Sequence, residues 1–112
     1  MRIGFHAKNT VDENGNPTGG VVVGTGVTIA WQDGPLGRPG AEDRKEPNGA
    51  FVEDVIDAAK QRLEFFENAS GGRFACEENA DAIALLEQAL MRLDDRTSRR
   101  TDAGTEGTHQ GS

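Results

Sequence analysis

Apolar residues along this chain change their period near residue 50. Beyond it, Val52, Val55, Ile56, Ala59, Leu63 and Phe66 recur at the i, i+3, i+4, i+7 spacing of one helical face. Asn48-Gly49 stands where an N-cap belongs, and Glu53 and Asp54 suit the positive end of a helix dipole. Residues 68–73 hold Ser70-Gly71-Gly72 and read as a turn. A second helix is expected over about residues 76–102, with Ile83, Leu86, Leu90 and Leu93 as an apolar seam widened by Ala82, Leu85 and Ala89. Two helices joined by a short turn pack as an antiparallel hairpin.

Before residue 50 the period is two. Residues 1–7 are expected to form a first strand, with Ile3 and Phe5 alternating against Arg2, Gly4 and His6. Residues 12–17 collect turn formers, including Asn14-Gly15. Val21-Val22-Val23 and Val27-Thr28-Ile29-Ala30-Trp31 are separated by Gly24-Thr25-Gly26, a bulge or a hairpin; Val27, Ile29 and Trp31 share one face. Residues 32–49 are rich in Gly and Pro and read as a long loop.

The fold class predicted is therefore α+β: an N-terminal antiparallel β-sheet followed by a two-helix antiparallel hairpin. All 112 residues are assigned to a single domain, with a β-rich part at 1–47, the helical hairpin at 48–103 and a Gly-rich tail at 104–112 that holds no core-forming residues. The second helix would be about 40 Å long. A small sheet leaves such a seam poorly covered, and a second copy of the chain is the simplest cover, so a homo-oligomer is expected.

Charge narrows the partners. The formal net charge is -7. An acidic body disfavours DNA and RNA polymers, whose binding rests on phosphate neutralisation. Yet Arg92, Arg96 and Arg100 recur every four residues, with Arg99 beside them and Asp94 and Asp95 as nearby carboxylates. Like charges at this spacing repel by about 0.2–0.5 kcal/mol per pair and need a compensating anion: local carboxylates, another chain or a phosphate ligand. A basic patch in an acidic body suits a small anion.

Catalytic chemistry is not legible. There are two histidines, His6 and His109, and one cysteine, Cys76, which is followed by Glu77 and Glu78. No metal-ligand cluster, dinucleotide fingerprint or phosphate loop is present, and no metal or cofactor is expected. Without an apolar leader or a membrane-length apolar run, the chain reads as a soluble, cytoplasmic protein.

Three groups of residues have alternative uses. Asn79, in line with the seam, either caps the second helix or reads a nucleobase edge with its amide. It lies 17 residues before Arg96, about 260° around one helix, so a ligand touching both would draw them from different chains. Phe65, Phe66 and Phe74 flank the turn as core or as stacking surface. Arg44, among Glu42, Asp43 and Glu46, is either surface-paired or a phosphate contact.

Several runs together carry a family resemblance: Asn48-Gly49-Ala50-Phe51-Val52-Glu53-Asp54-Val55, Arg73-Phe74-Ala75-Cys76-Glu77-Glu78-Asn79-Ala80, Ala89-Leu90-Met91-Arg92-Leu93, Arg96-Thr97 with Arg100, and Gly104-Thr105-Glu106-Gly107-Thr108-His109. They resemble the Thoeris anti-defence 1 family of phage proteins, which shares its helical hairpin with the anti-CBASS 2 sponges. The resemblance implies a non-enzymatic protein acting in the host bacterial cytoplasm. It would bind and sequester, without cleaving, cyclic ADP-ribose isomers, and possibly cyclic trinucleotides in a second pocket. It would assemble as dimers to hexamers through the hairpin. It matches Asn79 and Arg96 to the family's ligand-contacting Asn and Arg, Phe74 to its stacking aromatic, and Arg44 to a loop arginine. Arg100, Gly107 and Thr108 correspond to the second pocket. Glu77 stands where the family often has Arg, and Ala103 and Thr105 replace its usual residues around Gly104. The alternative is a helical module that blocks a host defence protein by direct contact.

Overall fold

A computed structural model describes residues 1–102, with side chains as far as Arg100. Its elements are strands β1 (His6–Val11), β2 (Pro17–Gly24) and β3 (Val27–Ala30), then helices α1 (Val52–Asn68) and α2 (Glu77–Asp102), with a short 3-10 turn at Ala69–Gly72 between the helices. The chain falls into two compact units, one built on Met1–Phe51 and the other on Val52–Arg99.

The first unit is an antiparallel sheet of order β1-β2-β3. Two turns set its register. At Asp12–Asn16 the Asp12 carboxylate accepts hydrogen bonds from the backbone N–H of Asn14 (2.8 Å) and of Asn16 (3.0 Å), a side-chain mimic of a backbone turn. Thr25-Gly26 then makes the tight turn between Gly24 and Val27, which are paired. Thus the Gly-Thr-Gly segment is a hairpin.

The first strand is not where alternation placed it. It is His6–Val11 instead of residues 1–7. The Asx turn starts at Asp12, so the residues that can pair with β2 are those just before it; His6 meets Val23 and Lys8 meets Val21. Gly4 takes φ of +83° and interrupts any extended run upstream. Ile3 and Phe5 are left 70% and 64% exposed.

Ala7, Val22 and Ile29 stand opposite one another across the three strands. Val22, flanked on both sides, is the one buried hydrophobic residue among the described residues. Ile29 and Trp31 are half-buried on the same side, and Val27 is exposed.

The loop from Gln32 to Gly49 is closed at its base. Trp31 bridges Ala50 in parallel. Gln32 N–H donates to Ala50 O (3.0 Å), and Ala50 N–H donates to Ala30 O (2.8 Å). Two amide side chains complete the clasp. Gln32 Oε1 accepts from Asn48 N–H (2.8 Å) and Gly49 N–H (3.3 Å). Asn48 Oδ1 accepts from Asp33 N–H (2.8 Å), while its Nδ2 donates to Asp33 O (3.0 Å). Asn48 therefore does not cap α1: it is spent on the loop base, and the helix begins at Val52.

In the second unit, α1 and α2 run antiparallel, because cross-helix partners descend α1 as they climb α2. Glu67 accepts from Cys76 N–H at 3.3 Å, Lys60 meets Glu87 at 2.9 Å, and Glu53 meets Arg96 at 3.9 Å. Ser70 and Gly71, at φ of 52° and 69°, supply the left-handed backbone that reverses the chain. α2 continues unbroken past Arg96, as the seam pattern required. The half-buried stripe of α1 keeps Val55, Ile56 and Leu63 of the expected face, whereas Val52 and Phe66 at its ends are 47% and 37% exposed. Ala59 is exposed and Lys60 lies inward, laying its aliphatic stem along the stripe and its ammonium against Glu87. That carboxylate, with Glu64 behind it, holds the Lys60 ammonium above its ordinary pKa despite the opposing desolvation. No helix among the described residues is long and apolar enough to cross a membrane.

Candidate functional site

The arginine row does not present one uniform face. Each i,i+4 step rotates about 40° around a helix, so the row drifts from solvent toward the stripe. Arg92 is 83% exposed and donates to Asp95 at 3.1 Å, the self-paired surface arrangement. Arg96 and Arg100 are half-buried, and Arg99 is exposed.

Arg96 is the unusual member. Its Nη2 lies 3.9 Å from Glu53 Oε1, an ion pair too long for a charge-assisted hydrogen bond of about 2.7–2.9 Å. Its Nε is shielded from solvent and has no hydrogen-bond partner among the described residues. A guanidinium offers five N–H donors in a fixed fork, and a buried donor left unmade costs about 1–3 kcal/mol. This side chain is therefore held near a carboxylate while its donors remain under-used. Glu53 was legible beforehand only as a helix-dipole residue. Counting outward from the hairpin turn, to find which position of α1 faces Arg96, is the signal that would have found it.

Asn79 is half-buried at the opening of α2. It does not cap the helix; Cys76 does, its sulfur accepting from Asn79 N–H at 3.4 Å. The Asn79 side-chain amide has no hydrogen-bond partner among the described residues. Arg96 lies on one border of the half-buried stripe and Asn79 within it, about 100° apart around the helix and about 25 Å apart along its axis. A single chain does not bring them together.

The aromatic residues near the turn are not core. Phe65, Phe66 and Phe74 are 49%, 37% and 50% exposed. Arginines lie over them instead: Arg62 is 4.7 Å from the Phe66 ring and 5.1 Å from Phe65, and Arg73 is 4.7 Å from Phe74. Phe74 is thus half exposed with the Arg73 guanidinium over its ring, so a base stacking on it would displace that cation or use the opposite face. Arg44 is half-buried in the clasped loop, where its Nη1 donates to Gly37 O at 3.3 Å. The loop folds on itself there, with Lys45 N–H on Leu36 O at 2.7 Å. Gly107 and Thr108 lie outside the described residues.

Comparison with known proteins decides the affiliation. The family model described as the Acb2/Tad1 hairpin domain matches residues 27–98. This chain belongs to the Acb2/Tad1 hairpin family. A curated relative, named Thoeris anti-defense 1, from Bacillus phage SBSphiJ7, is 43% identical over 84 residues, which is 75% of this chain and 53% of the relative. The chain spans about half the length of that relative. The Acb2/Tad1 match covers β3, the clasped loop, α1 and most of α2, so Arg44, Glu53, Phe74, Asn79 and Arg96 all fall inside it.

Proposed function

We propose that this protein is a phage anti-defence sponge, which binds and sequesters cyclic ADP-ribose-type immune signals without cleaving them in the host bacterial cytoplasm. The observation that carries this reading is the pair of under-used polar side chains on α2, Arg96 with a shielded, unpartnered Nε and Asn79 with an unpartnered amide. The relative's name, Thoeris anti-defense 1, supplies the biological setting.

The chemistry is coherent. A cyclic ADP-ribose carries two phosphates and an adenine. Guanidinium forks suit the phosphates, an open ring suits the base face, and an amide suits the base edge. Phe74 and Arg44 join Asn79 and Arg96 in this assignment, and by the family resemblance Arg100, Gly107 and Thr108 are the candidates for a second pocket that would take cyclic trinucleotides. Sequestration requires tight ground-state binding and no transition-state complementarity.

Because Asn79 and Arg96 are about 25 Å apart on one helix, the site is completed across a homo-oligomer. Light scattering is expected to find at least a dimer, and a hexamer is the preferred assembly; a monomer at micromolar concentration would remove the shared pocket. The binding itself is tested by incubating the protein with a panel of cyclic ADP-ribose isomers and cyclic trinucleotides, removing free ligand, denaturing by heat and weighing what is released. Intact ligand is expected, and a hydrolysed product would make the protein an enzyme. The exposed Phe65, Phe66 and Phe74 support a second reading, a helical module docking on a host defence protein. That reading predicts no released nucleotide and a discrete host protein retained on the immobilised chain.

A further inference from the structure

We infer that Glu53 is the resident anion of the Arg96 site: its carboxylate keeps the place that a ligand phosphate takes, and its charge sets how tightly that phosphate is held. This rests on the sponge reading.

Three observations converge on it. First, the contact is loose. At 3.9 Å the Glu53 oxygen neutralises Arg96 without satisfying it, and Nε on the same guanidinium stays without a partner. A carboxylate locked in bidentate contact would close both donors. Second, Glu53 has a stable position of its own. It sits in the first turn of α1 beside Asp54, where the helix dipole favours negative charge. Its place in the first turn does not depend on Arg96, so it can yield the guanidinium to another anion. Third, both partners are reachable. The side chains of Arg96 and Glu53 are 39% and 31% exposed. A phosphate that forks onto Arg96 would therefore lie beside the Glu53 carboxylate, and like charges at that range repel.

Glu53 would thus act as a specificity-determining residue that no phosphate touches directly. A neutral nucleoside does not meet its charge; a pyrophosphate does. The carboxylate favours ligands whose other contacts, to Asn79 and Phe74, outweigh its repulsion, and it discriminates against simple phosphates that have no such contacts.

Glu53→Gln keeps shape and removes the charge. Titrating cyclic ADP-ribose by calorimetry, Glu53→Gln should bind roughly 3- to 10-fold tighter than wild type, with the gain shrinking as salt is added. In an Arg96→Ala background the same substitution should change nothing. Wild-type binding with Glu53→Gln equal or weaker overturns the role of Glu53 and leaves the sponge intact. Equal tightening in the Arg96→Ala background also overturns it, because the charge would then act without Arg96. No binding by wild type or by Glu53→Gln overturns the sponge reading and the role of Glu53 together.

Discussion

Replacing Arg96 by alanine is expected to weaken binding of cyclic ADP-ribose by roughly 10- to 150-fold, the loss of one charge-assisted hydrogen-bonded contact worth about 1.5–3 kcal/mol. The fold should tolerate the change. Arg96 lies beyond Leu93, the last apolar residue of the seam, and its long contact with Glu53 is a partly exposed ion pair worth about 0–1 kcal/mol. Arg96→Lys should recover little if the contact is bidentate, since an ammonium cannot reproduce the planar fork. Calorimetry on a variant of unchanged oligomeric state is the measurement. Wild-type affinity in Arg96→Ala would return this residue to the class of Arg92, a surface cation answered by a neighbouring carboxylate.

The second large effect is on stability, at Gly49. A Cβ there would lie 2.6 Å from both the carbonyl carbon and oxygen of Trp31 and 2.7 Å from Ala30 O. These are backbone atoms, held by the Ala50–Ala30 and Gln32–Ala50 hydrogen bonds, so they cannot step aside as a side-chain tip would. Gly49→Ala should therefore displace the bridge and strain the clasp, costing about 1–3 kcal/mol. In a domain of this size that corresponds to a fall in Tm of about 5–15 °C. Gly19 is the control: a Cβ there meets nothing nearer than Asp33 Cβ at 3.4 Å. Thermal unfolding followed by circular dichroism should show Gly49→Ala melting well below Gly19→Ala. Coincident melting curves would mean that the Trp31–Ala50 approach is not tight.

These two residues mark the limits of what sequence discloses. The helices were legible because their period is local: residues 76–102 were expected for the second helix, and Glu77–Asp102 form it. The β1 strand was misplaced because a strand is defined by its partner, and here an Asx turn at Asp12 chooses the partner residues. The clasp was invisible for the same reason. Gln32 and Asn48 are polar residues in a Gly- and Pro-rich stretch, and nothing in either neighbourhood announces that they will bind across it. Lys60 turned inward in place of Ala59 because Glu87, on the other helix, answers it. Of the candidate residues, Asn79 and Arg96 are legible in the sequence, whereas the partnership of Glu53 with Arg96 emerges only from the pairing of two helices.

The clasp has a consequence for how such a protein can change. A loop fixed at its base by Gln32, Asp33 and Asn48 transmits little of what happens at its tip to the sheet below. Substitutions or small insertions between Pro35 and Glu46 should therefore leave β3 undisturbed while moving Arg44. On the sponge reading proposed above, that segment is where recognition would drift from one signal to another without a matching change in the scaffold.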